Sequence, residues 1–152
     1  TRDNEAVAVE RGPLVYSLVI GEEWTRIHAD KPHRELPHGD FEVRPTTPWN
    51  YGLALDPRRP EESIAFEERP VGERPFSPEG AGVVARAKGR RLVAWKLQHG
   101  WAGEVSRADP AWAHPPRPDS AGPLEAIELL PYGCTNIRLT ELPRLDPGDA
   151  SA

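Results

Sequence analysis

The sequence predicts an all-β chain: a two-layer antiparallel β-sandwich, jelly-roll-like, with long Pro-rich loops. Three observations predict it. The chain has 18 prolines and 13 glycines in 152 residues, and a proline inside a helix costs about 3 kcal/mol, so few windows suit a helix. Its apolar residues come in short runs of Val, Leu and Ile rather than at helical spacing. Turn signals separate those runs, which fits sheets packed face to face. No fixed-period repeat is visible, which argues against a propeller or solenoid.

The runs are as follows. Ala6 to Glu10 and Leu14 to Ile20 read as strands joined by Arg11-Gly12-Pro13, a turn or bulge. In the second, Leu14, Tyr16, Leu18 and Ile20 share one face and Val15, Ser17 and Val19 the other, so the strand is expected to lie between two layers. Trp24 to Asp40 is polar and rich in His and Pro and reads as an exposed loop. Phe41 to Arg44 is a short strand, Pro45 to Gly52 an ordered irregular segment, and pairing resumes at Leu53 to Leu55. Ser63 to Glu68 alternates. Val83 to Ala87 and Leu92 to Leu97 read as a hairpin around Lys88-Gly89-Arg90-Arg91. Ala102 to Gly122 is a second Pro-rich loop. Leu124 to Leu130 and Thr135 to Leu139 form a last strand pair around Pro131-Tyr132-Gly133-Cys134. Residues from Pro143 onward read as a frayed end. The expected organisation is a sandwich domain over residues 1–143 and a flexible tail over 144–152.

Composition narrows the function classes. With 19 basic and 24 acidic residues the net charge is -5, and no basic stripe tracks a phosphate backbone, so no nucleic-acid partner is expected. No apolar run approaches the length of a membrane-spanning helix, so no membrane partner is expected. Cys134 is the single cysteine; it forms no internal disulfide, allows no multi-cysteine metal site and leaves cell location open. Met is absent, including at position 1, so the chain is expected to begin inside a longer protein or to have been processed.

Candidate chemistry is sparse. The adjacent pairs Glu22-Glu23, Glu61-Glu62 and Glu67-Glu68 suit solvated charge better than catalysis, because neighbours on a strand point to opposite faces. His28, His33 and His38 share one loop, but Pro32 and Pro37 forbid the helix that would align them on a metal; His99 and His114 stand alone. There is no phosphate loop and no nucleophile elbow. Cys134 reads as a small buried hydrophobe. Trp49-Asn50-Tyr51 combines stacking rings with an amide and is the candidate carbohydrate-binding patch, set against the alternative that the rings pack on Pro45 and Pro48. Trp101 and Trp112 flank another loop.

Three segments carry a resemblance: Val9-Glu10-Arg11-Gly12-Pro13-Leu14-Val15-Tyr16-Ser17-Leu18, Pro45-Thr46-Thr47-Pro48-Trp49-Asn50-Tyr51-Gly52-Leu53, and Leu129-Leu130-Pro131-Tyr132-Gly133-Cys134-Thr135-Asn136-Ile137-Arg138-Leu139-Thr140-Glu141-Leu142-Pro143. In that order they resemble the carboxy-terminal β-sandwich of glycoside hydrolase family 127, the β-L-arabinofuranosidase-like proteins. Leu142 stands where the pattern has Phe. The resemblance implies a longer bacterial enzyme with an upstream catalytic (α/α)6 barrel and a neighbouring β-sandwich as intramolecular partners. It also implies that the catalytic residues and the zinc lie in that barrel, so this chain is expected to hold neither catalytic residues nor a cofactor. The expected role is an accessory, structural sandwich; the alternative is a carbohydrate-binding module using the aromatic patch.

Overall fold

A computed structural model describes residues 6–31, 38–93, 95–103 and 121–145. His33, Trp112, His114, most of the second Pro-rich loop and residues 146–152 lie outside the described residues.

The described chain is all-β and sandwich-like. Its strands are β1 (Ala6–Ala8), β2 (Glu10–Arg11), β3 (Leu14–Leu18), β4 (Glu22–Ile27), β5 (Asp40–Pro45), β6 (Tyr51–Ala54), β7 (Ala65–Glu68), β8 (Val83–Leu92), β9 (Leu97–Gln98), β10 (Trp101–Ala102), β11 (Ala121–Pro131) and β12 (Glu141–Leu145). A single helical turn, α1 (Pro60–Ser63), and a 3-10 turn, Tyr132–Cys134, interrupt them.

The main ladder runs β1-β12-β6-β8-β11-β3-β2, with β7 alongside β8. Only Val9 separates β1, which pairs with β12, from β2, which pairs with β3. The stretch from Ala6 to Arg11 therefore belongs to both ends of the ladder. The chain bends at Val9 from one layer to the other, a corner of the kind that joins packed sheets and leaves fewer bare edges. Every pairing is antiparallel except β12 with β6, which run parallel with Arg144 opposite Leu53.

The interior follows from alternation. Val7, Val9, Tyr16, Leu18, Leu53, Ala85, Ala87, Ile127, Leu129 and Leu142 form one buried cluster. The opposite faces of β8 and β11 are also covered: Val84 and Leu130 pack with Ala81 and Cys134, and Val19 of the chain after β3 joins them. Of the run from Leu14 to Ile20, expected to lie between two layers, Tyr16 to Leu18 and Ile20 are buried and Val19 packs on the outer cluster, but Leu14 and Val15 are exposed. Leu53, Leu129 and Leu142 are each almost fully enclosed, and such a side chain contributes roughly 2 kcal/mol by leaving water.

Several elements differ from expectation. Lys88-Gly89-Arg90-Arg91 is not a turn: β8 runs unbroken through it, with Gly89 paired to Leu53 on one side and Glu125 on the other. A Cβ at Gly89 would come within 2.8 Å of the Gly52 carbonyl oxygen and 2.9 Å of Ile127 Cδ1. The glycine serves close strand approach. Two-residue loops occur instead at Gly12-Pro13, where Gly12 has φ +57°, and at His99-Gly100, where both φ values are positive (53° and 85°), as a type I′ hairpin requires.

Trp24 to Ile27 is not loop. It belongs to β4, which pairs with β5 in a separate ribbon that is largely exposed on both faces. Thr135 to Leu139 is not a strand, because side chains meet its backbone donors: the Glu22 carboxylate accepts from the N–H groups of Asn136 and Ile137, and Ser17 Oγ from that of Leu139. The final strand is β12, which carries the sheet past the expected boundary at 143; Leu145 is buried against Leu92 and Trp95.

Candidate functional site

The structure brings Trp49, Asn50 and Tyr51 together at the start of β6, but it turns them into the fold. Asn50 is buried. Its Nδ2 donates to the carbonyls of Leu92 (2.8 Å) and Trp95 (3.2 Å), and its Oδ1 accepts from Arg91 Nε (3.3 Å). The Asn50 carbonyl accepts from the Leu92 N–H. The amide is thus spent on ending β8 and shaping the turn after it. Trp49 packs edge-on to Trp95, with ring centroids 5.0 Å apart, and touches two of the buried clusters. Trp95 is itself fixed by Nε1 donating to the Gly103 carbonyl at 2.8 Å. Tyr51 donates its hydroxyl to Glu125 Oε2 at 2.8 Å. Burial raises the Tyr51 pKa, and the hydrogen bond to Glu125 and that residue's charge raise it further against the pull of Arg91. The geometry is that of a packed corner.

Exposed aromatic faces lie on the ribbon. Trp24 and Phe41 are each 50% exposed and meet edge-to-face at 5.9 Å. Trp24 Nε1 donates to Glu22 Oε2, which holds the indole in place. In sequence, Trp24 and Phe41 sit in polar surroundings, and only their pairing across a ribbon makes them one surface.

Two of the carboxylate pairs behave as solvated charge, whereas Glu22 of the third is a structural acceptor for Trp24, Asn136 and Ile137. Glu67 and Glu68 point apart, Glu67 to Arg86 and Glu68 to Arg11, and Glu62 pairs with Arg59. His28 Nδ1 lies 3.0 Å from Asp40 Oδ2 at the end of the ribbon. Among the described residues no three His, Cys, Asp or Glu side chains converge as metal ligands. Cys134 does not suit a zinc ligand or a nucleophile: it is buried, its Sγ donates to the Pro75 carbonyl at 3.4 Å, and burial raises its pKa more than Arg69 lowers it.

Sequence reasoning missed an apolar groove of about 680 Å³ beside the outer cluster. Leu14 and Val15 from the first hairpin, Val71 and Phe76 from the loop before β8, Val83 and Tyr132 line it. Phe76 is 83% and Val71 65% exposed. The loop is anchored by Arg69, whose Nε donates to the Ala81 carbonyl and whose Nη2 donates to that of Pro78. The only sequence signal was two isolated apolar residues in a polar, Pro-rich stretch.

Comparison with protein families, curated proteins and solved structures finds no match for this chain.

Proposed function

We propose that this chain is an accessory, structural β-sandwich of a larger bacterial glycoside hydrolase acting on arabinose-containing or related plant glycans. In this reading it packs against an upstream (α/α)6 barrel or a neighbouring sandwich of the same polypeptide. The observation that carries the reading is the apolar groove. Phe76, Val71, Leu14, Val15 and Tyr132 leave contiguous apolar surface in water next to a buried cluster, and such patches mark contact surfaces. The resemblance of the three motifs to the family supports the choice of enzyme class. The encoding reading frame and an activity assay test it together. A frame carrying a helical barrel upstream, and no hydrolysis of arabinofuranosides by this chain alone, is the expected result. Turnover by the isolated chain would overturn the reading.

A second reading, direct glycan contact, draws support from Trp24 rather than from the Trp49 patch. Trp24 presents a held, half-exposed ring beside polar side chains, which is what stacking on a sugar face needs.

A further inference from the structure

Among the described residues β5 pairs with β4 and with no other strand, so one edge of the ribbon stands open. The hydrogen-bond phase fixes which backbone groups that edge presents. The Thr46 N–H donates to the Gly21 carbonyl at 2.8 Å, one step beyond the facing pair Glu22 and Pro45. Bonded pairs alternate along an antiparallel ladder, so Asp40, Glu42 and Arg44 turn their N–H and C=O groups to β4. Phe41, Val43 and Pro45 turn theirs outward, and Pro45, with no N–H, offers only a carbonyl there. An open edge of this kind is a template for another strand.

The charges on β5 are self-complementary about one residue. Glu42 and Arg44 are exposed and pair with each other at 2.9 Å on one face. Phe41 and Val43 lie on the other face with Trp24. A second copy related by a two-fold axis must bring outward groups to outward groups, so the axis passes through a residue of β5 and not between two. At Phe41 it sets Asp40 against the partner's Glu42. At Glu42 it sets glutamate against glutamate, and at Arg44 arginine against arginine. At Val43 alone do opposite charges meet with no like pair beside them. Glu42 then faces the partner's Arg44 at the non-hydrogen-bonded position, where side chains come closest. In that register Val43 exchanges bonds with the partner's Val43, and the Phe41 N–H donates to the partner's Pro45 carbonyl. On the other face the Phe41 ring covers the partner's Pro45. Charges and a proline ordinarily guard an edge against pairing; in this order they single out one register.

We propose that β5 is a self-association edge, through which two copies of this chain form a two-fold antiparallel pair centred on Val43 and join their ribbons into one sheet. An edge this short buries less than a standard interface, so the dimer is weak and needs high local concentration. The edge shares no residue with the lining of the apolar groove, so the pairing and the accessory-domain reading stand or fall separately.

Sedimentation equilibrium of the whole chain tests the pairing. A monomer–dimer equilibrium is expected at submillimolar concentration. Glu42→Arg and Arg44→Glu should each weaken it at least about tenfold, since the facing pairs become like-charged. An equimolar mixture of the two variants should regain dimer, because each arginine of one then faces a glutamate of the other. A merely structural role for the Glu42–Arg44 pair predicts no such rescue. Mild oxidation of Val43→Cys should give a covalent dimer, as facing residues at a hydrogen-bonded position lie about 5.5 Å apart, within disulfide reach. The same treatment should leave the parent chain uncross-linked, since Cys134 is buried. A chain that stays monomeric at every concentration overturns the proposal. So does a dimer indifferent to both charge reversals, or a mixture of the variants that regains nothing.

Discussion

The carboxylate of Glu22 holds the backbone of Asn136, 114 residues away in the chain: it accepts from the Asn136 N–H and from Asn136 Nδ2, each at 3.0 Å. The Ile137 N–H and Trp24 Nε1 also donate to it. One side chain thus ties the exposed ribbon to the segment that stands in place of the expected last strand.

Glu22 should make stability pH-dependent in acid. Partial burial raises its pKa, but the hydrogen bonds from Asn136, Ile137 and Trp24 outweigh that and hold it below the ordinary 4.5. The folded state therefore binds this proton more weakly than the unfolded state. The stabilisation is complete above the unfolded value and is lost as pH falls through the lowered folded value. Glu22→Gln should cost about 1 kcal/mol at pH 7, since the pairing is partly exposed. It should also flatten the dependence of urea-midpoint stability on pH below about 4.5. A mutant as acid-sensitive as the parent would exclude Glu22 as the source.

Gly89 should tolerate no side chain. With Gly52 O at 2.8 Å and Ile127 Cδ1 at 2.9 Å from a Cβ position, Gly89→Ala must push β6 away from β8 and is expected to cost about 1–3 kcal/mol by overpacking. Gly12→Ala is the control. Nothing lies within 4 Å of a Cβ there, so only the positive φ opposes it, at about 1 kcal/mol. Chemical denaturation of the two variants should rank them in that order.

These two glycines also show how far the fold was legible. Gly12, beside proline and between two apolar runs, announced its turn correctly. Gly89 sat among charged residues in the same kind of setting, and the sequence could not distinguish a turn from a close crossing of strands, since both demand a missing side chain. Apolar runs located β3 and β11, and alternation located β7. The same pattern reading failed for β4, which is exposed on both faces, and for Thr135 to Leu139, whose backbone donors bond to Ser17 and Glu22 rather than to a neighbouring strand. It also ended the fold too early, because Pro143 reads as a breaker although it sits in β12 opposite Ala6. The aromatic triplet was found, but composition does not reveal that the Asn50 amide faces two carbonyls of the chain itself.

Asn50→Ala should be a folding mutant and not a binding mutant. It leaves the Leu92 and Trp95 carbonyls without the amide that serves them, at about 2 kcal/mol. A drop in thermal midpoint is expected. An unchanged midpoint would mean that the amide is not structural.

Cys134 should react with iodoacetamide far more slowly in the folded chain than in urea, even at pH 8. The reactive species is the thiolate, and burial both hides the sulfur and raises its pKa against the pull of Arg69. Mass spectrometry of samples alkylated with and without denaturant measures the ratio; equal rates would show that the outer cluster around Val84 and Leu130 opens freely.

If glycan contact runs through the ribbon, calorimetric titration with arabinose-containing oligosaccharides should separate Trp24 from Trp49. Trp24→Ala removes an exposed ring whose only described ring contact is Phe41, so it should abolish binding while leaving the thermal midpoint nearly unchanged. Trp49→Ala removes a ring packed against Trp95 and two buried clusters. It should cost about 3 kcal/mol of stability and leave binding by the remaining folded protein intact. The opposite pattern, with binding lost at Trp49 and kept at Trp24, would return the site to the corner of β6. It would also require the Trp49 ring to leave Trp95 in the bound state, a rearrangement that the NMR shifts of the Trp95 indole would report.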